Sequence, residues 1–112
     1  MAAQTIRVVQ VHRRQLIQRP DGTGREVDIQ VDGADNHTLL IEVKKRKEKS
    51  GTAELRPFLE VMAIFQQANP DREVHAGFLS LGGFTKDAMA MLTTHKVGTA
   101  TALNHYRTEW SP

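Results

Sequence analysis

The sequence predicts an α/β fold, a mixed β-sheet flanked by helices with the element order β-β-β-α-β-α-β. Residues 27–31 alternate strictly between apolar and polar side chains, which is typical of a half-buried strand. Apolar residues recur at helical spacing after residue 52 and again after residue 85. The chain has 112 residues and no internal repeat, so we expect a single domain, 1–112.

The first half of the chain is predicted to hold three strands. They are Thr5–His12, Val27–Val31 and Leu39–Val43. Turn-forming residues separate them at 19–24 and 32–37. The first segment is rich in β-branched residues, although a helix running to Ile17 is the alternative. The second and third strands are expected to form a hairpin.

The second half is predicted to alternate helices and strands. One helix begins at about Thr52 or Arg56 and ends at Ala68, with Pro57 in its first turn. A second helix has Thr85 as its N-cap and extends to about Lys96. The two remaining strands are Val74–Leu81 and Val97–Leu103.

Composition excludes several classes of function. The chain contains no cysteine, which rules out disulfides, thiolate zinc sites and cysteine nucleophiles. No apolar run approaches the roughly 20 residues that span a membrane, and the first residues do not form a secretory signal. We therefore expect a cytoplasmic protein without a membrane partner.

Glu42-Val43-Lys44 is an acid-x-lysine triplet. Roughly 0.7 such triplets are expected by chance in a chain of this composition, so placement decides its meaning. In a strand, Glu42 and Lys44 point to the same side, about 6.6 Å apart along the chain. They can therefore act on one substrate.

The apolar residues also predict the hairpin register. Pairing Val31 with Leu39 brings Ile29 opposite Ile41 and matches two apolar faces. In this arrangement Leu39, Ile41 and Val43 are expected to point inward.

The same register places Asp28 opposite Glu42, with Cβ atoms about 4.5–5.5 Å apart. Two carboxylates at that separation repel each other unless a cation lies between them, and oxygen ligands suit Mg²⁺, with Mn²⁺ as a substitute. Such an ion can polarise a phosphoryl oxygen and activate water, while Lys44 orients the water or stabilises negative charge. The pattern predicts phosphodiester hydrolysis.

These residues resemble the PD-(D/E)xK nuclease superfamily, and within it the Mrr-like restriction endonuclease group, over about Arg25 to Leu103. The segments that carry the likeness are Glu26–Ile29, Leu40–Lys44, Ala76–Ser80, Gly83–Thr85, a helix with Ala88, and His95–Gly98. The resemblance implies a restriction-endonuclease-like fold, dependence on Mg²⁺, duplex DNA as substrate, and Asp28, Glu42 and Lys44 as catalytic residues. Pro20-Asp21 is a literal PD, but it lies in a predicted turn, so Asp28 is preferred.

A basic segment follows the triplet. Lys45, Arg46, Lys47 and Lys49 come directly after Lys44, and Glu48 is the one acid among them. Next to a carboxylate pair, they are interpreted as contacts to DNA phosphates. A solvated loop is the plainer interpretation.

Other interpretations remain open at this point. The acidic and basic side chains could form an ordinary ion pair on a solvated strand face. The same fold could serve as an inactive module that binds nucleic acid or protein, or as an oligomeric scaffold that pairs through a sheet edge. A homodimer is expected for an enzyme that cuts both strands of a duplex. The five histidines do not recur at i, i+3 or i+4, so no histidine zinc site is expected.

Overall fold

The structure, a computed structural model, describes residues 7–101. Its elements follow the predicted order and confirm the α/β class. They are β1 (Val8–Gln18), β2 (Gly24–Gly33), β3 (His37–Lys44), α1 (Thr52–Ala68), β4 (Glu73–Ser80), α2 (Lys86–Thr94) and β5 (Gly98–Ala100). Neither helix in this part of the chain is long and apolar enough to cross a membrane.

The five strands form one mixed sheet in the order β1-β2-β3-β4-β5. β1, β2 and β3 pair antiparallel, whereas β3, β4 and β5 pair parallel. Each parallel connection contains a helix, as a crossover between parallel strands requires. The predicted hairpin register is confirmed, because Ile29 pairs with Ile41 and Val31 with Leu39.

β1 is longer than predicted, and the helical alternative running to Ile17 is wrong. The strand continues to Gln18, which pairs with Gly24 at the start of β2. The sequence pattern does not indicate this extension. Most of β1 is exposed at the edge of the sheet, so its residues do not alternate between apolar and polar side chains. Thr5 and Ile6 of the predicted strand lie outside the described residues.

The helices pack on the sheet face that carries Leu40, which corrects the predicted inward face. Leu40 is fully buried in a core cluster that includes residues of both helices, whereas Leu39, Ile41 and Val43 are only half-buried. Residues 39–41 are all apolar, so alternation alone cannot select the face. Because strand side chains alternate, Glu42 shares the face of Leu40. The predicted acid therefore lies on the helix-covered side.

α1 begins at Thr52, the earlier of the two predicted starts, so Pro57 lies in its second turn and not in its first. The Glu54 side chain accepts a hydrogen bond from Gly51 N–H at the N-terminus of the helix. Further along, Glu60 accepts from Arg19 at 2.5 Å and from Arg25 at 2.6 Å. These two ion pairs attach the β1–β2 hairpin to α1.

The last two elements are shorter than predicted. Thr85 caps α2 by accepting from Ala88 N–H at 3.2 Å, as expected. The helix ends at Thr94, two residues before the predicted Lys96, which adopts a left-handed conformation with φ of 57°. β5 spans three residues, and the predicted extension at 102–103 lies outside the described part of the chain.

The choice of core face can be tested with two neighbouring leucines. We expect Leu40→Ala to lower the free energy of unfolding by about 2–5 kcal/mol, because it leaves a cavity under both helices. Leu39→Ala is the matched control and should lower it by about 1 kcal/mol, since that side chain is only half-buried. Urea denaturation measures both. An equal or larger effect of Leu39→Ala would contradict the assignment.

Candidate active site

The pleat of β2 is interrupted at Asp28. Val27 is fully buried in the core, although strict alternation would place it on the half-buried face of Ile29. Opposite this point on β1, Arg14 has a φ of 51°, a left-handed conformation that breaks regular strand geometry. The two strands therefore bend together, and β2 turns away from β3.

Asp28 reaches across the gap that this bend opens. β2 and β3 pair regularly as far as Ile29 and Ile41. Beyond that pair, Val43 N–H donates to Asp28 Oδ2 at 2.8 Å, so a side-chain oxygen accepts from a strand amide. This bond holds the Asp28 carboxylate over β3 and beside Glu42.

The pKa of the Glu42 carboxyl group is raised to about 7, and burial of the side chain is the largest cause. The hydrogen bond and the negative charge of Asp28 also raise this pKa, while the positive charge of Lys44 lowers it. Phe78, the residue paired with Glu42 on β4, is fully buried, which keeps water from one side of the carboxyl group. Two acids thus meet where solvent screening is weak.

Lys44 completes the group at the end of β3. Its backbone carbonyl accepts from Leu81 N–H at 3.0 Å, and it pairs with Ser80 on β4. Among residues 7–101, no carboxylate lies within ion-pair distance of its ammonium group. The charge of Lys44 therefore remains available to a ligand beside Glu42.

The basic segment, residues 45–49, is exposed next to this group. Lys45, Lys47 and Lys49 have no acidic partner among the residues that the structure describes. Arg46 differs, because it forms an ion pair with Glu54 at the start of α1. The hydrogen bond from Arg46 lowers the pKa of Glu54. Three of the four predicted phosphate contacts are thus free of protein partners here.

Buried hydroxyls and one glycine fix the C-terminal part of the basic segment. Ser50 and Ser80 are fully buried with their Oγ atoms 2.8 Å apart, and Ser80 also donates to the Gly83 carbonyl at 2.7 Å. Gly82 lies so close to the segment that a Cβ there would overlap the backbone oxygens of Lys47 and Glu48. Ser80 is therefore a structural residue, and the segment has a defined position beside Lys44.

The alternative acid, Asp21, lies in the turn between β1 and β2, as predicted. Its carboxylate accepts from the Thr23 backbone at 2.9 Å and from the Thr23 hydroxyl at 2.6 Å. These bonds lower its pKa and stabilise the turn. Asp21 is a turn residue, which leaves Asp28 as the acid beside Glu42.

The donor set fits a hard divalent cation. Asp28 and Glu42 present carboxylate oxygens, the ligands that Mg²⁺ prefers. The negative charge of Asp28 contributes to the raised pKa of Glu42, and a cation between the two carboxylates would offset that repulsion. Sequence reasoning missed how far this site is buried, because the sequence does not indicate which face of β3 the helices cover.

The fold is shared with two proteins of known structure. The chain superimposes on EndoMS, in its complex with double-stranded DNA, with a TM-score of 0.61 and 12% identity over 88% of this chain and 36% of that chain. The chain also superimposes on a repair endonuclease from Pyrococcus abyssi, with a TM-score of 0.62 and 12% sequence identity. This match covers 90% of this chain and 39% of that chain. No protein-family model and no curated protein matches the sequence. The likeness establishes a common α/β fold, and the chain spans less than two fifths of either endonuclease.

Replacing Glu42 should stabilise the protein without divalent ions. Folding raises the pKa of Glu42 from 4.5 to about 7, so the native protein loses stability as the pH rises across this window. Glu42→Gln cannot ionise and avoids that loss. We expect it to be more stable than wild type at pH 8 by on the order of 1–2 kcal/mol, after discounting for solvent screening.

Urea denaturation in EDTA between pH 4 and pH 8 measures this difference. The control is Glu26→Gln, which neutralises an exposed acid on the same strand as Asp28. A gain for Glu42→Gln that does not grow with pH, or an equal gain for Glu26→Gln, would refute the interpretation.

Proposed function

We propose that this protein is a metal-dependent endonuclease of the PD-(D/E)xK type, close to the Mrr-like group, that hydrolyses DNA phosphodiester bonds in the cytoplasm. The observation that carries the proposal is the meeting of Asp28, Glu42 and Lys44 at the point where β2 and β3 separate. A fold shared with two repair endonucleases supports it. Mg²⁺ is the proposed cofactor, with Mn²⁺ as a substitute.

Asp28 and Glu42 would hold the ion, since their carboxyl groups lie within hydrogen-bonding reach of each other. A bound Mg²⁺ ion supplies Lewis acidity and a water of lowered pKa. Val43 N–H orients the Asp28 carboxylate, which leaves its second oxygen for the ion. Glu42 must be ionised to act as a ligand, so the cation competes with the proton that it holds below about pH 7.

Lys44 follows Glu42 by two residues and extends from the same face of β3. Its ammonium group would stabilise the negative charge that develops on the phosphate, or orient the attacking water. Neither role is compatible with a tight ion pair to a protein carboxylate. The absence of such a pair among residues 7–101 supports this role for Lys44.

DNA would lie along the basic segment, whose lysines face solvent beside the acids. Each lysine that contacts a phosphate releases counterions, so binding would weaken as salt increases. Arg46 is expected to contribute less than the lysines because it is paired with Glu54.

We also propose a homodimer, because one chain supplies one site and a double-strand break needs two. β1 offers a surface for it, as an edge strand whose Val8, Val9 and Val11 are each more than half exposed. Sedimentation equilibrium tests the dimer, and a monomer at tens of micromolar with Mg²⁺ and duplex DNA would exclude it.

Plasmid cleavage tests the enzymatic proposal. Wild-type protein should convert supercoiled DNA to nicked and linear forms with Mg²⁺ and not with EDTA. Lys44→Ala and Glu42→Ala should each slow cleavage at least about 100-fold, because each removes a group that acts on the reacting phosphate. Gel electrophoresis of timed samples gives the rates.

Matched controls separate loss of chemistry from loss of fold. Lys96→Ala and Asp71→Ala each remove an exposed charge of the same sign away from the site and should cleave at the wild-type rate. Cleavage that survives Lys44→Ala and Glu42→Ala would refute the assignment. DNA binding without turnover in Mg²⁺ or Mn²⁺ would favour the inactive binding module, and no binding at low salt would favour the scaffold.

The basic segment can be tested by the salt dependence of binding. Changing Lys45, Lys47 and Lys49 to alanine should weaken DNA binding and reduce the slope of log affinity against log salt by about 2.7, or 0.9 per phosphate contact. The corresponding triple arginine variant preserves the charge and should keep the slope. Fluorescence anisotropy with a labelled duplex measures it. An unchanged slope in the alanine variant would show that DNA binds elsewhere.

A further inference from the structure

A second group of potential ligands lies at the other end of the sheet. His37 begins β3, and Glu73 and His75 lie at the start of the neighbouring parallel strand β4. One ligand atom from each residue lies within 4.8 Å of the other two. Glu42 is five residues further along β3, about 16 Å away, and on the opposite face. The cluster is therefore separate from the candidate active site.

Parallel pairing brings these three side chains together. His37 pairs with Glu73, and His75 pairs with Leu39, two residues further along β3. Residues two apart on a strand share a face, so His37, Glu73 and His75 all lie on the face away from the helices. Asn36 O accepts from Glu73 N–H at 2.8 Å, which fixes the two strand starts relative to each other. The ligands are thus held by paired strands and not by a loop.

The two imidazole rings face each other through one nitrogen each. His37 Nδ1 and His75 Nε2 are 2.9 Å apart, and the ring planes differ by 14°. At this distance one nitrogen must carry a hydrogen and the other must accept it. Glu73 adds a carboxylate oxygen 3.5 Å from His37 Nδ1 and another 3.9 Å from His75 Nε2. Two imidazole nitrogens and one carboxylate therefore lie close enough together to act as ligands of one ion.

The distances are close to those of a tetrahedral metal site. Zn–N bonds of about 2.0–2.1 Å place two tetrahedral nitrogen ligands about 3.3 Å apart. To accommodate an ion, the rings would need to separate by about 0.4 Å and tilt so that both nitrogens point at the ion. Both histidines are largely buried, with side chains 21% and 23% exposed, whereas Glu73 is 62% exposed. The fourth position would therefore open to water.

We propose that His37, His75 and Glu73 form a binding site for Zn²⁺ or a similar first-row divalent ion. Two imidazoles and one carboxylate are a set that suits zinc and differs from the all-oxygen set of Asp28 and Glu42. When the ion binds between two neutral rings, the ring that donates moves its hydrogen to its other nitrogen, so that both facing nitrogens become ligands. With the ligands shared between β3 and β4, the ion joins the starts of both strands.

Zinc binding to untagged protein tests the site, since a histidine tag would bind the same ions. All binding measurements use protein that carries Glu42→Gln, because this change weakens the other proposed metal site. This protein is the background for the further variants. One equivalent of Zn²⁺ should bind in isothermal titration calorimetry. Co²⁺ should give the visible absorption of a tetrahedral site. His75→Ala in this background should weaken binding at least about 100-fold.

His95→Ala is the matched control, because it removes an exposed histidine at the end of α2 and should leave binding unchanged. If the His75→Ala protein does not fold, the Glu73→Gln protein tests the site in its place, because the Glu73 side chain is exposed and tolerates the change. The Glu73→Gln change should weaken Zn²⁺ binding at least about tenfold. Failure of the Glu42→Gln protein to take up Zn²⁺, or equal affinity in His75→Ala or Glu73→Gln, would overturn the proposal. Neither result depends on nuclease activity.

Discussion

The hydrogen bond from Val43 N–H to Asp28 Oδ2 is the contact on which the candidate active site depends. At 2.8 Å it continues the β2–β3 connection after regular pairing ends at Ile29 and Ile41. Without this bond, the bend at Asp28 would leave a strand amide unpaired and the carboxylate free to turn to solvent. The same contact thus closes the end of the hairpin and brings two acids together.

Bringing the two acids together costs stability, and the surrounding structure has to offset that cost. The raised pKa of Glu42 means that its ionised form is disfavoured in the folded protein. Glu60 holds the hairpin to α1 through two arginines, and the buried Ser50–Ser80 pair fixes the loop after Lys44. An energetically unfavourable pair of carboxylates in an otherwise well-supported sheet is typical of a functional site.

The sequence predicted what depends on local patterns. Alternation predicted the register between β2 and β3, but regular pairing ends at Ile29 and Ile41, and Asp28 lies beside Glu42 through its bond to Val43 N–H. Alternation did not give the buried face of β3, because Leu40 and its two neighbours are all apolar. The spacing rule for histidine ligands does not address His37 and His75. It applies to residues near each other along the chain, whereas these two are 38 residues apart and meet only through parallel pairing.

A crystal structure with Mn²⁺ tests whether Asp28 and Glu42 hold an ion, because anomalous scattering locates the ion independently of any substrate. We expect a peak bound by one oxygen of Asp28 and one of Glu42, with the Lys44 ammonium nearby and not paired to either acid. No peak at this position in millimolar Mn²⁺ at pH 8, or Lys44 bonded to Glu42 in its place, would contradict this expectation.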